Sequence, residues 1–162
     1  MTEAFIYMIV PTTFNFWYRI DHVEEDLTNY CNENNIKILD KIVDTTGGTI
    51  SERPGLIRML ELLGPGQQVI CSTISQLSWN SEQLLQIKKH IENVKANIVI
   101  VDLPMDFTGI QGEYMFSIAG SYEIFKLKMR ISTPIEITWG QNKTPKKGYS
   151  IVGGEYIKIK KY

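Results

Sequence analysis

The stretch from Asp44 to Leu56, Asp-Thr-Thr-Gly-Gly-Thr-Ile-Ser-Glu-Arg-Pro-Gly-Leu, decides how the chain is read. It follows a strand-like run, Lys37 to Val43, and precedes apolar residues at helical spacing: Leu56, Met59, Leu60 and Leu63. The pair Gly47-Gly48 and a run of small hydroxyl residues disfavour both helix and strand in between. Pro54 suits the first turn of a helix, where its missing N–H would have had no partner. An aspartate at a strand's end and an arginine before a helix can converge above a parallel sheet, where such folds place ligands. The competing reading is an ordinary polar loop with Arg53 as a solvated helix flank, because short motifs often match by chance.

Outward from this stretch, strand and helix patterns alternate. Ala4 to Val10 is an apolar, β-branched and aromatic run of strand length, broken by Pro11. Residues 18–34 place Ile20, Val23, Leu27, Tyr30 and Cys31 on one helical face, with Asp21, Glu24, Glu25 and Asp26 early, as the helix dipole favours. Ile36 to Val43 reads as a second strand, and Pro54 to Leu63 as a helix stopped by Gly64-Pro65-Gly66. Gln68 to Ile74 is a third strand. Ser78 to Lys95 is a helix capped by Ser78 or Ser81, with Leu84, Ile87, Ile91 and Val94 apolar. Ala96 to Leu103 is the most continuous apolar run and suits a strand covered on both faces. This alternation implies an α/β fold, a three-layer doubly wound, mainly parallel sheet of four to five strands.

The helix expected over residues 112–131 has two apolar faces. Met115, Ile118, Ala119, Tyr122, Phe125 and Met129 share one; Phe116, Gly120, Ile124, Leu127 and Ile131 share the second. Docking on a sheet needs one face, and a second suits another helix or another copy of the chain unless the tail covers it. Phe116, Gly120, Ile124, Leu127 and Ile131 are therefore the candidate oligomer interface. Pro134 bars continuation, and Ile135 to Trp139 alternates as a strand does. Gly153-Gly154 suits a turn between Tyr149–Val152 and Tyr156–Lys161, giving a small terminal hairpin. The expected organisation is a domain over residues 1–131, including the long helix, and a basic β-rich tail over residues 132–162.

A chain of 162 residues, 43% hydrophobic and 22% charged, fits one soluble globular domain with a sizeable core. Its apolar runs fall short of the roughly 18 residues a membrane helix needs. The N-terminus lacks the basic start of a secretory signal. Cys31 and Cys71 are too few for a disulfide framework, so a reduced intracellular compartment is expected. The net charge of −1 hides an asymmetry: residues 1–139 hold 11 Lys and Arg against 17 Asp and Glu, whereas residues 140–162 hold 6 Lys and only Glu155. Lys143, Lys146, Lys147, Lys158 and Lys160 are thus candidates for contact with phosphate or DNA, beside docking on the acidic body or plain solvation. His22 and His90 fall on different helices without ligand spacing, so no metal is expected. No cofactor or small-molecule signature appears, and the glycine turn at Thr45–Thr49 is only a weak phosphate cradle.

The order and spacing of Phe5 to Thr12, Val43-Asp44, Ser51 to Leu56, Gly66 to Ile70 and Ile74 to Trp79 resemble the catalytic domain of serine recombinases, the resolvases, invertases and their large relatives. The strongest match is Asp44 with Arg53 nine residues on, followed by Pro-Gly-Leu at a helix start. The resemblance covers about residues 4–131, including the long helix that carries the family's dimer interface. Thr144 to Tyr149 is faintly similar to the segment leading into the family's DNA-binding region. A resolvase-like fold is implied, with a serine after the first strand attacking a DNA phosphodiester while arginines stabilise the developing charge.

This chain departs from that pattern. Pro11 occupies the nucleophile position and Ile9 that of the arginine two residues earlier. Ser75-Gln76 stands for the family's Asp-Arg, Trp79 for a further arginine, and Phe125-Lys126 for the Glu-Arg pair of the long helix. Tyr7, Asp44 and Arg53 keep the family's types as vestiges of its site. Losing one oxyanion donor costs about 10²–10³ in rate, so losing the nucleophile and most of the clamp together argues against ordinary recombination. The expectation is a non-catalytic relative acting by homo-oligomerisation or binding, as an accessory, regulatory or structural component, compatible with a viral or mobile-element source. Two alternatives stay open: a divergent DNA recombinase using Thr12 or Thr13, and a nonspecific nucleic-acid-binding module working through the Lys-rich tail. Arg53 is the phosphate-binding candidate within the site itself.

Overall fold

The computed structural model describes residues 1–10, 20–132, 136–138, 149–152 and 155–158. They belong to two compact units, Met1–Ile124 and Phe125–Tyr162. In the first, β1 (Thr2–Ile9), β2 (Ile36–Asp44), β3 (Gln68–Cys71) and β4 (Asn97–Ile100) form a parallel sheet in the order β2-β1-β3-β4. Between the strands run α1 (Ile20–Glu33), α2 (Pro54–Leu62) and α3 (Ser81–Asn93). The long helix α4 (Gly109–Ser132) continues into the second unit. There β5 (Glu136–Thr138), β6 (Tyr149–Val152) and β7 (Glu155–Lys158) form an antiparallel sheet, with β6 and β7 paired as the expected hairpin. This is the α/β architecture that the alternation of patterns implies, with four parallel strands. No described helix is long and apolar enough to cross a membrane.

β1 is covered on both faces. Phe5, Tyr7 and Ile9 point into a core shared with α2, α3 and α4, while Ala4, Ile6 and Met8 point into a second core shared with Leu27 and Cys31 of α1. Period-2 alternation with both sides apolar explains its unbroken apolar sequence. The run at Ala96 to Leu103 is covered on both faces too, as expected, with Ile98 and Ile100 packed on the first core and Val99 and Val101 on the second, while its backbone forms the edge strand β4. A continuous apolar run cannot by itself distinguish a central strand from an edge strand whose side chains pack but whose backbone does not.

Helix ends follow local chemistry. α1 gives way to Asn35 at φ +54°, the left-handed geometry in which helices commonly end. The cap of α3 is Asn80, whose side chain accepts the Gln83 N–H at 3.0 Å, rather than Ser78 or Ser81. Ser78 instead lies buried and accepts from the Asn80 N–H at 3.1 Å.

α4 docks by the face that the sequence assigned to oligomerisation. Phe116 and Ile124 are buried in the core, Phe116 edge-on to Phe107 with ring centroids 5.2 Å apart. A Cβ on Gly120 would lie 2.4 Å from Leu84 Cδ2, so α4 rides directly on α3 there. Phe116, Gly120 and Ile124 are therefore core residues. Leu127 is half-buried, and the side chain of Ile131 lies outside the described residues. The exposed apolar residues are those of the opposite face, Ile118, Tyr122 and Phe125 among them. Periodicity finds both stripes, but only the small side chain at position 120, which permits close approach, tells which one docks.

The first turn of α4 contains a tighter constraint. A Cβ on Gly112 would fall 2.2 Å from the backbone carbon of Phe107, and backbone cannot swing aside as a side chain can. In an unconstrained helix, Gly→Ala stabilises by about 1 kcal/mol. Gly112→Ala is expected to reverse that sign and cost about 1–3 kcal/mol through overpacking, seen as a lowered midpoint in thermal or urea unfolding.

Candidate functional site

The chain passes from β1 outward to β2 and then back across β1 to β3, so the strand order reverses at the C-terminal ends of β1 and β3. Open parallel sheets place their ligands at such a switch point. Pairing between β1 and β3 stops at Ile6 and Ile70. Beyond it, the N–H of Ile9 still needs an acceptor. Gln76, in a short 3₁₀ turn at Ile74–Gln76, supplies one: its Oε1 accepts from Ile9 at 2.5 Å. Gln76 is buried, and its side chain closes the crevice between the two strands.

Asp44 ends β2, and its carbonyl accepts the N–H of Val10 at 2.7 Å. Its carboxylate turns toward α2. Oδ1 accepts the Gly55 N–H at 2.9 Å, and Oδ2 accepts the Leu56 N–H and the Tyr7 hydroxyl, each at 2.8 Å. Two of the N–H groups left open at the start of α2 are thereby satisfied by an anion placed where the helix dipole favours one. Pro54 leads the helix with no N–H to satisfy, and the preceding Arg53 offers no side-chain cap. Asp44 therefore caps α2 from another strand. Gly55 makes room for it, since a Cβ there would lie 2.7 Å from Ile42 Cγ2 and 2.9 Å from Asp44 Oδ1.

Arg53 is 0% exposed, which rules out the solvated helix flank. Nη1 donates to the Leu77 carbonyl. Nε and Nη2 reach no acceptor among the described residues. Burial pushes the Tyr7 phenol well above its ordinary value; the Arg53 charge opposes that rise, and the hydrogen bond to Asp44 adds to it. Tyr7, Asp44 and Arg53 are thus brought together, as the resemblance implies, but inside the protein.

The remaining positions of the family's clamp have other roles. Ile9 is a buried strand residue. Trp79 packs on the glycine turn: its N–H donates to the Gly47 carbonyl at 2.9 Å, and a Cβ on Gly47 would meet the indole at 2.6 Å. Phe125 is exposed and Lys126 half-buried on α4. Sequence reading missed the role of Gln76 as the acceptor replacing β3, and that of Gly47 as the seat of Trp79. The glycine pair signalled the second, had its small size been matched to a large neighbour. Pro11, Thr12, Thr13, Lys143, Lys146, Lys147 and Lys160 lie outside the described residues, and Lys158 is described only as the end of β7.

Two outcomes follow from this network. Asp44→Ala removes the cap and the partner of Tyr7, and is expected to cost about 3 kcal/mol of stability, with Asp44→Asn intermediate, by chemical denaturation. Tyr7 has a raised pKa in the folded state, so its contribution is complete below the unfolded value of roughly 10 and is lost as pH climbs above it. Thermal midpoints should fall between pH 9 and 11, and Tyr7→Phe should fall less steeply, leaving the contribution of the buried Cys71 thiol, whose pKa burial also raises.

Residues 11–134 match the family described as Resolvase, N terminal domain. Among solved structures, the N-terminal catalytic domain of TP901-1 integrase aligns with a TM-score of 0.60 at 18% identity, covering 79% of this chain and 98% of that one. A resolvase family site-specific recombinase from Streptococcus pneumoniae aligns with a TM-score of 0.56 at 18% identity, over 82% of this chain and 93% of that one. The C-terminal catalytic domain of ISC1926 TnpA, an IS607-like serine recombinase, gives 0.53 at 14%, over 82% and 100%. At these identities the likeness is one of fold. No curated protein sequence matches significantly. The family match spans most of the chain and agrees with the parallel sheet and long helix, and the chain belongs to the resolvase N-terminal domain family, the fold of the serine recombinases.

Proposed function

We propose that this chain is a serine-recombinase-fold protein that does not cleave DNA and acts by binding, assembling with a second copy of itself through α4. The observation carrying this reading is that Asp44, Tyr7 and Gln76 are engaged in the fold and Arg53 is buried within it. Asp44 caps α2 and holds Tyr7, Gln76 completes the edge of β1, and Arg53 is wholly buried. Phosphoryl transfer needs charged donors aimed at an accessible phosphate, together with a nucleophile. Here Pro11 and Ile9 stand where the family's serine and one of its arginines belong.

The exposed face of α4 supports the assembly half of the reading. Ile110, Tyr114, Ile118, Tyr122 and Phe125 recur at three- to four-residue spacing, and all are strongly exposed. An apolar stripe of this length in water marks an interaction site. A single helix face can serve both partners of a two-fold dimer. On this reading residues 1–131 form the assembling domain and residues 132–162 a basic tail.

Light scattering after size exclusion tests it. The wild-type chain should elute as a dimer and Ile118→Glu as a monomer with an unchanged unfolding midpoint, because position 118 is exposed. Phe116→Ala, on the docked face, should instead cost about 3–5 kcal/mol of stability. A wild-type monomer at high concentration overturns assembly. A covalent protein–DNA adduct that disappears in Thr12→Ala or Thr13→Ala overturns inertness.

A further inference from the structure

The two edges of the parallel sheet are finished differently. Along β2, Lys37, Lys41 and Asp40 form ion pairs with Glu3, Glu24 and Arg58, a charged fringe of the kind that keeps an edge from pairing. β4, Asn-Ile-Val-Ile, carries no charge, no proline and no bulge. Its Asn97 and Val101 N–H groups donate to Gln67 and Cys71, so in a parallel ladder the alternate residues Ile98 and Ile100 turn their N–H groups away from β3. Among the described residues, no hydrogen bond reaches those two N–H groups or the Ile98 carbonyl. The Ile100 carbonyl accepts from Leu103 at 3.1 Å, which ends the strand.

A cleft of about 440 Å³ runs along this edge. Tyr30 of α1 stands on one side of it and Lys88 and Glu92 of α3 on the other, while Met105 and Phe107 supply apolar wall. The charge in the cleft is uneven. Lys88 is almost fully buried, lies 5.8 Å from the Phe116 ring centre and is paired with Glu92. Asp106 is left as the unbalanced charge of the rim. Hydrogen bonds from the Thr108 side chain and backbone hold its carboxyl below the usual range, so it is ionised at neutral pH. An open backbone row demands an extended chain, an apolar wall favours apolar side chains along it, and an unbalanced carboxylate at the rim favours a cation beside it.

We propose that the open edge of β4 is a docking site for an extended peptide segment of alternating apolar and basic residues, which adds to the sheet as a fifth strand. The segment's backbone bonds Ile98 and Ile100, its apolar side chains face Met105 and Phe107, and a basic side chain meets Asp106. This site is independent of α4 self-association.

Fluorescence anisotropy of the full-length protein with a labelled octapeptide of alternating isoleucine and lysine tests it. Three controls accompany it: the same peptide with prolines replacing alternate isoleucines, a peptide alternating isoleucine and glutamate, and the Asp106→Lys protein. The isoleucine–lysine peptide should bind at least about tenfold more tightly than the proline peptide, which keeps the charge but loses backbone donors. It should bind about fivefold more weakly to Asp106→Lys, a change on an exposed loop. Hydrogen exchange should slow at Ile98 and Ile100 on binding. Equal binding of the proline and isoleucine–lysine peptides, a preference for the glutamate peptide, or unchanged exchange at Ile98 and Ile100 overturns the assignment. Ile118→Glu should leave this binding intact, so the outcome is read separately from assembly through α4.

Discussion

The carboxylate of Asp44, set against the start of α2, is the interaction on which the rest of the first unit depends. It joins the end of β2 to a helix that starts ten residues later, and it takes the Tyr7 hydroxyl of the central strand as its third partner. The loop between is therefore fixed at its two ends by the cap and midway by Trp79 on Gly47. A charged acceptor with three donors is worth far more in the interior than on the surface, because leaving any one of those donors bare would carry the full cost of its desolvation. Arg53, just before the capped helix, is buried and donates to the Leu77 carbonyl.

That arrangement sets structure against chemistry at the switch point of the sheet. A phosphoryl-transfer site needs its charged groups free to face a ligand, and a stable core needs its polar groups paired. In this chain Asp44, Tyr7 and Gln76 are paired inside the fold, while Arg53 is buried with Nε and Nη2 reaching no acceptor among the described residues. Gln76 is a clear case: at a position where the resemblance implies an arginine, a neutral amide instead reaches the Ile9 N–H that β3 leaves bare. Trp79 is another, with an indole filling the space beside the glycine turn. Relative to the arginines that the resemblance implies, both residues remove positive charge from this end of the sheet.

Much of this was legible in the sequence. The alternation of apolar runs gave the four parallel strands and their helices, because a period of 2 or 3.6 is imposed by backbone geometry alone. Asp44, Gly55 and Pro54 could be recognised as a strand end and a helix start, since proline and glycine constrain backbone locally. Long-range facts were not legible. The place of Ala96 to Leu103 at the edge of the sheet was not legible, because strand order depends on crossovers and not on the strand's own residues. The two faces of α4 have nearly equal apolar content, and the choice between them rests on Gly120 meeting Leu84 across 36 positions of sequence. The cap is Asn80, between Ser78 and Ser81, serines that are equally good caps in isolation. Arg53 shows the same limit, since nothing in its neighbours along the chain distinguishes a solvated arginine from a buried one.

The consequence for function is a separation of roles. On the reading proposed above, the residues of this network serve the fold, and the capacity to interact lies on surfaces the fold leaves unfinished. Two such surfaces differ in what they ask of a partner. The stripe on α4 offers apolar area and rewards shape, so a copy of the same helix, which matches it by symmetry, is a natural occupant. The edge of β4 offers backbone hydrogen bonds, which any extended chain can make, and leaves discrimination to alternate side chains and to the charge at Asp106. On the proposed reading, one surface would hold two copies together and the other would recruit a different chain, without any residue of the buried site taking part.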